Sequence, residues 1–105
     1  MGDYFKGRVA AVTGASRGIG ELVATDLARA GCRTVLVARS QVSLDRTVVC
    51  VRNAGGEAIA VPGDVREPET ALLACRTAVE KFGRLDIVIN CAGTFIPTDA
   101  AKFEP

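Results

Sequence analysis

Four short apolar runs, each separated from the next by one amphipathic stretch, decide what this chain can fold into. Residues 8–13 (RVAAVT), 34–38 (TVLVA), 58–61 (AIAV) and 85–90 (LDIVIN) are too short for helices and read as strands. The first two are continuous enough to be buried on both faces. Between the first two, Ile19, Leu22, Val23 and Leu27 recur at spacings of three and four, which predicts one apolar helix face ending at Gly31. A second helix is capped by Ser40 or Ser43, carries Leu44, Val48 and Val51 on one stripe, and stops at Gly55-Gly56. Pro62-Gly63 closes the third strand. Pro68 opens a third helix, where its missing N–H costs nothing, and Gly83 ends it; Leu72, Cys75, Val79 and Phe82 are its expected inward stripe.

The order is therefore β-α-β-α-β-α-β in a single unit spanning residues 1–105, an α/β fold with a parallel sheet. Right-handed crossovers restrict the topology. A strand order of 3-2-1-4 puts the first two helices on one face and the third on the other. The order reverses between strands 1 and 4, so a ligand crevice is expected at their carboxyl ends.

Composition narrows the chemistry. Thirteen Lys+Arg against twelve Asp+Glu leave a net charge of +1, which gives no electrostatic footing for nucleic acid or an anionic membrane. No run approaches the ~20 apolar residues of a membrane span. The start of the chain (MGDYFKGRVAAV) lacks the apolar core of a signal peptide. With no His, a Ser-His-Asp triad and a His-ligated metal are both excluded for these residues. Cys32, Cys50, Cys75 and Cys91 form no C-x-x-C pair and sit in apolar settings, so they read as buried reduced thiols in a cytoplasmic protein.

The segment from Thr13 to Gly20 (TGASRGIG) joins the first strand to the first helix. A diphosphate approaching a backbone is obstructed by any Cβ, and the free N–H groups of a helix start bind the anion with help from the helix dipole. Glycines at positions 14, 18 and 20 serve both needs. The spacing is G-x-x-x-G-x-G, unlike the commoner G-x-G-x-x-G because Val23 stands where the third glycine would fall. It is not a P-loop either, since Glu21 rather than Lys follows Gly20.

This segment resembles the cofactor motif of the classical short-chain dehydrogenase/reductase family. Gly63-Asp64-Val65 is similar to that family's adenine-contacting segment, and Asn90-Cys91-Ala92-Gly93 to its Asn-Asn-Ala-Gly motif, with Cys91 departing from the usual second Asn. The resemblance implies a Rossmann-type fold, here its N-terminal cofactor-binding portion, and hydride transfer between a nicotinamide and a small carbonyl or alcohol. It places Gly14, Gly18, Ile19 and Gly20 at the diphosphate side, and Ser16 there or at a 2′-phosphate. Asp64 and Val65 go to the adenine, and Asn90, Ala92 and Gly93 beside the ribose. Asp64 could instead cap the third helix, and Asn90 could tie strands 1 and 4 together.

The residue closing the second strand separates NAD from NADP, because an acid there holds a ribose 2′-hydroxyl and repels a 2′-phosphate. This chain has Ala38 at that position, followed by Arg39, and Arg17 lies inside the glycine-rich turn. Two guanidinium groups able to grip a phosphate favour NADP over NAD.

The family's catalytic Ser, Tyr-x-x-x-Lys and supporting Asn do not occur in this stretch. Its one tyrosine, Tyr4, is followed four residues on by Arg8, and its asparagines are Asn53 and Asn90. One reading is the cofactor-binding half of an NADP-dependent oxidoreductase, which the resemblance makes a homo-oligomer at full length. The other is an inactive shortened product or a stand-alone dinucleotide-binding module, in which the fourth strand becomes an apolar edge open to self-association.

Overall fold

A computed structural model describes residues 3–16 and 18–91 of the chain. The elements run β1 (Val9–Thr13), α1 (Gly18–Arg29), β2 (Arg33–Ala38), α2 (Gln41–Asn53), β3 (Ala58–Pro62), α3 (Pro68–Phe82) and β4 (Ile87–Asn90). The four strands form one parallel sheet in the order β3-β2-β1-β4, as the crossover argument requires. Leu85 and Asp86 fall just short of β4, although the Asp86 backbone N–H already donates to the Val9 carbonyl at 2.9 Å.

The sheet separates two apolar layers. Alternate strand residues Ala10, Val12, Leu36 and Ala38 face α1 and α2 and pack with Leu27, Leu44, Val48 and Val51. The intervening residues Val9, Ala11, Val35, Val37 and Val61 face α3 and pack with Ala74 and Ala78. Leu36 and Leu44 are fully buried, and each such side chain is worth about 1.5–3 kcal/mol of burial.

Helix starts and stops follow the chain's own punctuation. Ser40 caps α2, its side chain accepting from the Ser43 N–H. Pro68 opens α3, and Gly83 ends it in the left-handed conformation with φ 86°. The α2 stripe is as expected. The other two helices turn differently. α3 presents Thr70, Ala74 and Ala78 to the sheet and leaves Leu72, Cys75 and Val79 exposed, with Phe82 half-buried. α1 buries Gly20, Ala24, Leu27 and Ala28, leaving Ile19 and Leu22 exposed. The physical reason is close approach. The sheet face under α3 is already filled by valines, so the helix that lies on it needs small residues at the contact. The thiols correct a second expectation: all four are free, but Cys75 is exposed, Cys50 and Cys91 are half-buried, and only Cys32 is fully enclosed.

At the amino ends of β1 and β4, Asp86 acts as a clasp. Its carboxylate accepts from the Val9 N–H at 2.9 Å and from Arg84 Nε and Nη2 at 2.8 and 2.9 Å. Arg8 adds a longer contact at 3.9 Å. These bonds hold its carboxyl below the usual carboxylate range, the Arg84 hydrogen bonds first and the Val9 N–H next. Tyr4 sits at this same end, its ring beneath the Arg8 guanidinium, 4.6 Å from centroid to carbon. No helix among the described residues is long and apolar enough to cross a membrane.

Candidate cofactor cleft

Parallel register brings the carboxyl ends of all four strands into line. Thr13 pairs with Val37 on one side and Asn90 on the other, and Ala38 pairs with Pro62. The residues just past these ends therefore emerge together. The ladder extends one step into the loops: Ala15 N–H donates to Val37 C=O at 3.2 Å, Gly63 N–H to Ala38 C=O at 2.8 Å, and Cys91 N–H to Thr13 C=O at 3.0 Å. These bonds fix the loop bases without using side chains, which leaves the side chains for a ligand.

Above them opens a cleft of about 860 Å³, lined by Gly14, Ser16, Gly18, Ala38, Arg39, Ser40, Ser43, Gly63, Asp64, Val65, Arg66, Asn90 and Cys91. Its size and its place at the strand-order reversal are those of a ligand site in an open α/β sheet. Gly14, Ser16, Gly18, Arg39, Asp64, Val65 and Asn90 were all singled out from sequence and all lie here. Ile19 and Gly20 do not line the cleft: Ile19 is exposed on α1, and Gly20 is buried beneath the turn. Arg17, Ala92 and Gly93 lie outside the described residues.

Each glycine of the turn has its own task. Gly14 and Gly18 adopt φ of 67° and 62°, a region that favours residues without a Cβ. A Cβ at Gly18 would meet no described atom within 4 Å, and Gly18 itself lines the cleft. At Gly20 the added carbon would fall 2.0 Å from the Gly14 carbonyl oxygen, so α1 and the turn touch backbone to backbone. A turn built this way brings the start of α1 and its unpaired N–H groups to the cleft wall, where an anion is favoured.

Charge follows the same layout. Arg39 and Arg66 line the cleft, and Arg46 of α2 reaches the glycine-rich turn, its Nη2 donating to the Ser16 carbonyl at 3.3 Å. Asp64 is the one acid among the described lining residues, and Arg66 forks onto it, holding its pKa down at about 2. The Arg66 side-chain bonds contribute most to that shift, its backbone N–H next. The cleft is thus positive at the turn and at the end of β2. On the opposite wall Thr13 Oγ1 donates to Asn90 Oδ1 at 2.8 Å, which ties β1 to β4 where they part.

Ser40, Ser43, Arg46, Arg66 and Cys91 were not counted as site residues from sequence. Ser40 and Ser43 stand three apart at the start of a helix, so one turn puts both on the side facing the turn, a signal that reading them only as caps overlooked. Nothing local marks Arg46, whose partner is thirty residues away. Among the thiols, burial and then the Asp86 charge push Cys32 up, which disfavours its thiolate. The described residues contain no group of three or more side chains able to hold a metal ion.

A family model described as short chain dehydrogenase matches residues 8–105. The chain is 45% identical over 81% of its length to the short-chain reductase protein NovJ of Streptomyces niveus, of which it covers 32%. Its fold superposes with a TM-score of 0.83 on L-sorbose reductase from Gluconobacter frateurii, solved with NADPH and L-sorbose, at 35% identity over 90% of this chain and 36% of that one. Carveol dehydrogenase from Mycobacterium avium, solved with NAD, gives 0.81 at 28% identity over 90% of this chain and 38% of that one. The chain spans about a third of the length of the curated relatives it matches. The two solved neighbours hold different nicotinamide cofactors, so kinship leaves that choice to the cleft's own residues.

Proposed function

The chain belongs to the short-chain dehydrogenase/reductase family, and on that premise we propose that it is the NADP-binding portion of an oxidoreductase acting on a small carbonyl or alcohol. One observation carries the choice of cofactor. The position closing β2 is Ala38, and the residue after it, Arg39, lines the cleft beside Ser40 and Ser43. Ala38 thus stands where a carboxylate would hold a ribose 2′-hydroxyl and repel a 2′-phosphate, and the one acid among the described lining residues, Asp64, is paired with Arg66. A guanidinium and two hydroxyls at a helix start are instead phosphate-binding groups.

The residues present fit a dinucleotide. The cleft has the necessary volume, open space beside Gly18 for close backbone approach, and cationic groups at the turn and at β2. Gly14, Ser16 and Gly18, with the backbone N–H of Ile19, would hold the diphosphate. Arg39, with Arg17 from the turn, would hold the 2′-phosphate. Asp64 and Val65 would border the base, and Asn90, Ala92 and Gly93 the ribose beside β4. The cofactor, when bound, supplies or takes up the hydride. These 105 residues bind and orient it. The acid/base chemistry is assigned to family residues outside this stretch, since Tyr4 lies at the opposite end of the sheet.

The test is a fluorescence titration of the full-length protein with NADPH and NADH. The unmodified protein is expected to bind NADPH at least tenfold more tightly. Replacing Arg39 by Asp together with Arg17 by Ala should invert the preference. Unchanged NADPH affinity in that double variant would overturn the cofactor assignment.

A further inference from the structure

β3 ends the sheet on one side and pairs with β2 alone among the described strands. The Thr34 N–H donates to the Glu57 carbonyl, and the Gly63 N–H to the Ala38 carbonyl. Strand alternation between these two bonds turns the N–H and C=O groups of Ala58 and Ala60 outward, away from β2. Pro62 is the next outward residue and has no N–H to give. Along this edge runs a groove of about 360 Å³, floored by residues 58–60 and walled by Asp45, Val48, Val49 and Arg52 of α2. It lies apart from the cofactor cleft, with no lining residue in common.

Each side of the groove is built about a midpoint. On β3, Ala58 and Ala60 flank Ile59; on α2, Asp45 and Arg52 flank Val48 and Val49, with opposite charges at the two ends. Seven positions put those charges about 10.5 Å apart along the helix axis, too far to pair with each other. Asp45 Oδ1 accepts from Gln41 Nε2 at 2.6 Å, while Arg52 makes no hydrogen bond or ion pair among the described residues. Val49 between them is 54% exposed. A surface with this pattern is complementary to itself under a two-fold rotation. With the axis beside Ile59, Ala58 faces the partner's Ala60 and the two exchange both N–H···O bonds; symmetry repeats the pair. The same rotation sets Asp45 opposite the partner's Arg52, also twice, and lays Val49 on the partner's helix between the charges.

We propose that the free edge of β3 and the outer side of α2 form a two-fold interface with a second copy of this chain, so that the sheet runs on from β3 into the partner's β3. An unpaired strand edge is a template for such addition. A strand from a different protein would need no symmetry in the groove, and the crossed opposite charges select the copy. The interface is independent of the cofactor reading, which NADPH titration tests separately.

The experiment puts a thiol on the axis of the full-length protein. Ile59 stands opposite its own counterpart as a non-hydrogen-bonded pair, with Cα atoms about 4.5 Å apart, a span a disulfide bridges. Ile59→Cys, combined with Cys75→Ser to remove the exposed native thiol, should give a covalent dimer on a non-reducing gel after mild oxidation, and Cys75→Ser alone should not. Adding Asp45→Arg sets like charges in both pairs. At dilutions where a small fraction cross-links, it should lower that fraction about tenfold, the sum over two exposed pairs. Adding Arg52→Asp as well restores opposite charges and should recover the yield, which damage to the fold would not do. With Ile59 left in place, Asp45→Arg should raise about tenfold the concentration at which the assembly dissociates in sedimentation. Absence of the covalent dimer, a disulfide from the new thiol to another part of its own chain or to a different protein, a charge swap that recovers nothing, or unchanged sedimentation of Asp45→Arg overturns the proposal.

Discussion

Replacing Gly20 by alanine should damage the fold before it damages the site. The new Cβ would fall 2.0 Å from the Gly14 carbonyl oxygen, 2.7 Å from its carbon and 3.0 Å from Ala15 Cα. All three are backbone atoms, so no side chain can rotate away. Helix and turn must part by at least about 1 Å to reach a tolerable contact. Neither is free to move. The turn is held by Ala15 N–H on Val37 C=O, and Cys91 N–H bonds the carbonyl just before it, on Thr13. The helix is held by Ala24, Leu27 and Ala28 in the core. The cost sits at the upper end for overpacking, about 3 kcal/mol, or a fall in Tm of roughly 12–24 °C for a domain of this size. Gly18→Ala is the control. It meets no described atom within 4 Å and suffers only from its φ of 62°, worth about 1–2 kcal/mol, at a residue that lines the cleft. Thermal melts followed by circular dichroism, paired with NADPH titration, separate the two. Gly20→Ala should show the large melting shift, and Gly18→Ala the larger loss of affinity relative to its loss of stability. A Gly20→Ala protein melting within a few degrees of the parent would refute the backbone-contact argument.

Two further outcomes follow from the described contacts. Asp86 titrates below its usual 3.8 because Arg84 and the Val9 N–H hold its charged form; its stabilisation is therefore complete above about pH 4 and lost as acid carries the pH down through the folded value. Asp86→Asn should accordingly be less stable at pH 7 and show a shallower loss between pH 4 and 2 in acid-unfolding curves, and identical curves would count against the clasp. Thr47 is fully buried, and its Oγ1 finds no hydrogen-bond partner among the described residues; Thr47→Val should raise stability by about 0.5–1 kcal/mol, seen as a Tm gain of a few degrees, and a drop of similar size would show that the hydroxyl is satisfied in solution.

What the sequence discloses and what it withholds divide along a physical line. β1 and β2 are legible because strands buried on both faces leave no polar alternation to misread, and the topology then follows from the hand of the crossovers. The stops at Gly31, Gly55 and Gly83 are legible because their φ values of 89°, 90° and 86° suit a residue without a Cβ. The inward faces of α1 and α3 are not, because apolar periodicity reports where large residues lie, not where a helix must come close. Leu72 and Val79 repeat at helical spacing as well as Ala74 and Ala78 do, and only the valines of the sheet below decide that the small pair goes inside. The same limit applies to the cleft. Arg39 is legible because it directly follows a strand end, whose position the register fixes. Arg66 stands four residues past the end of β3; its effect lies in the fork it makes on Asp64, and side-chain geometry of that kind has no signature in spacing. A residue directly after a recognised motif can thus engage the motif's own acid, which the Gly63-Asp64-Val65 segment alone does not disclose.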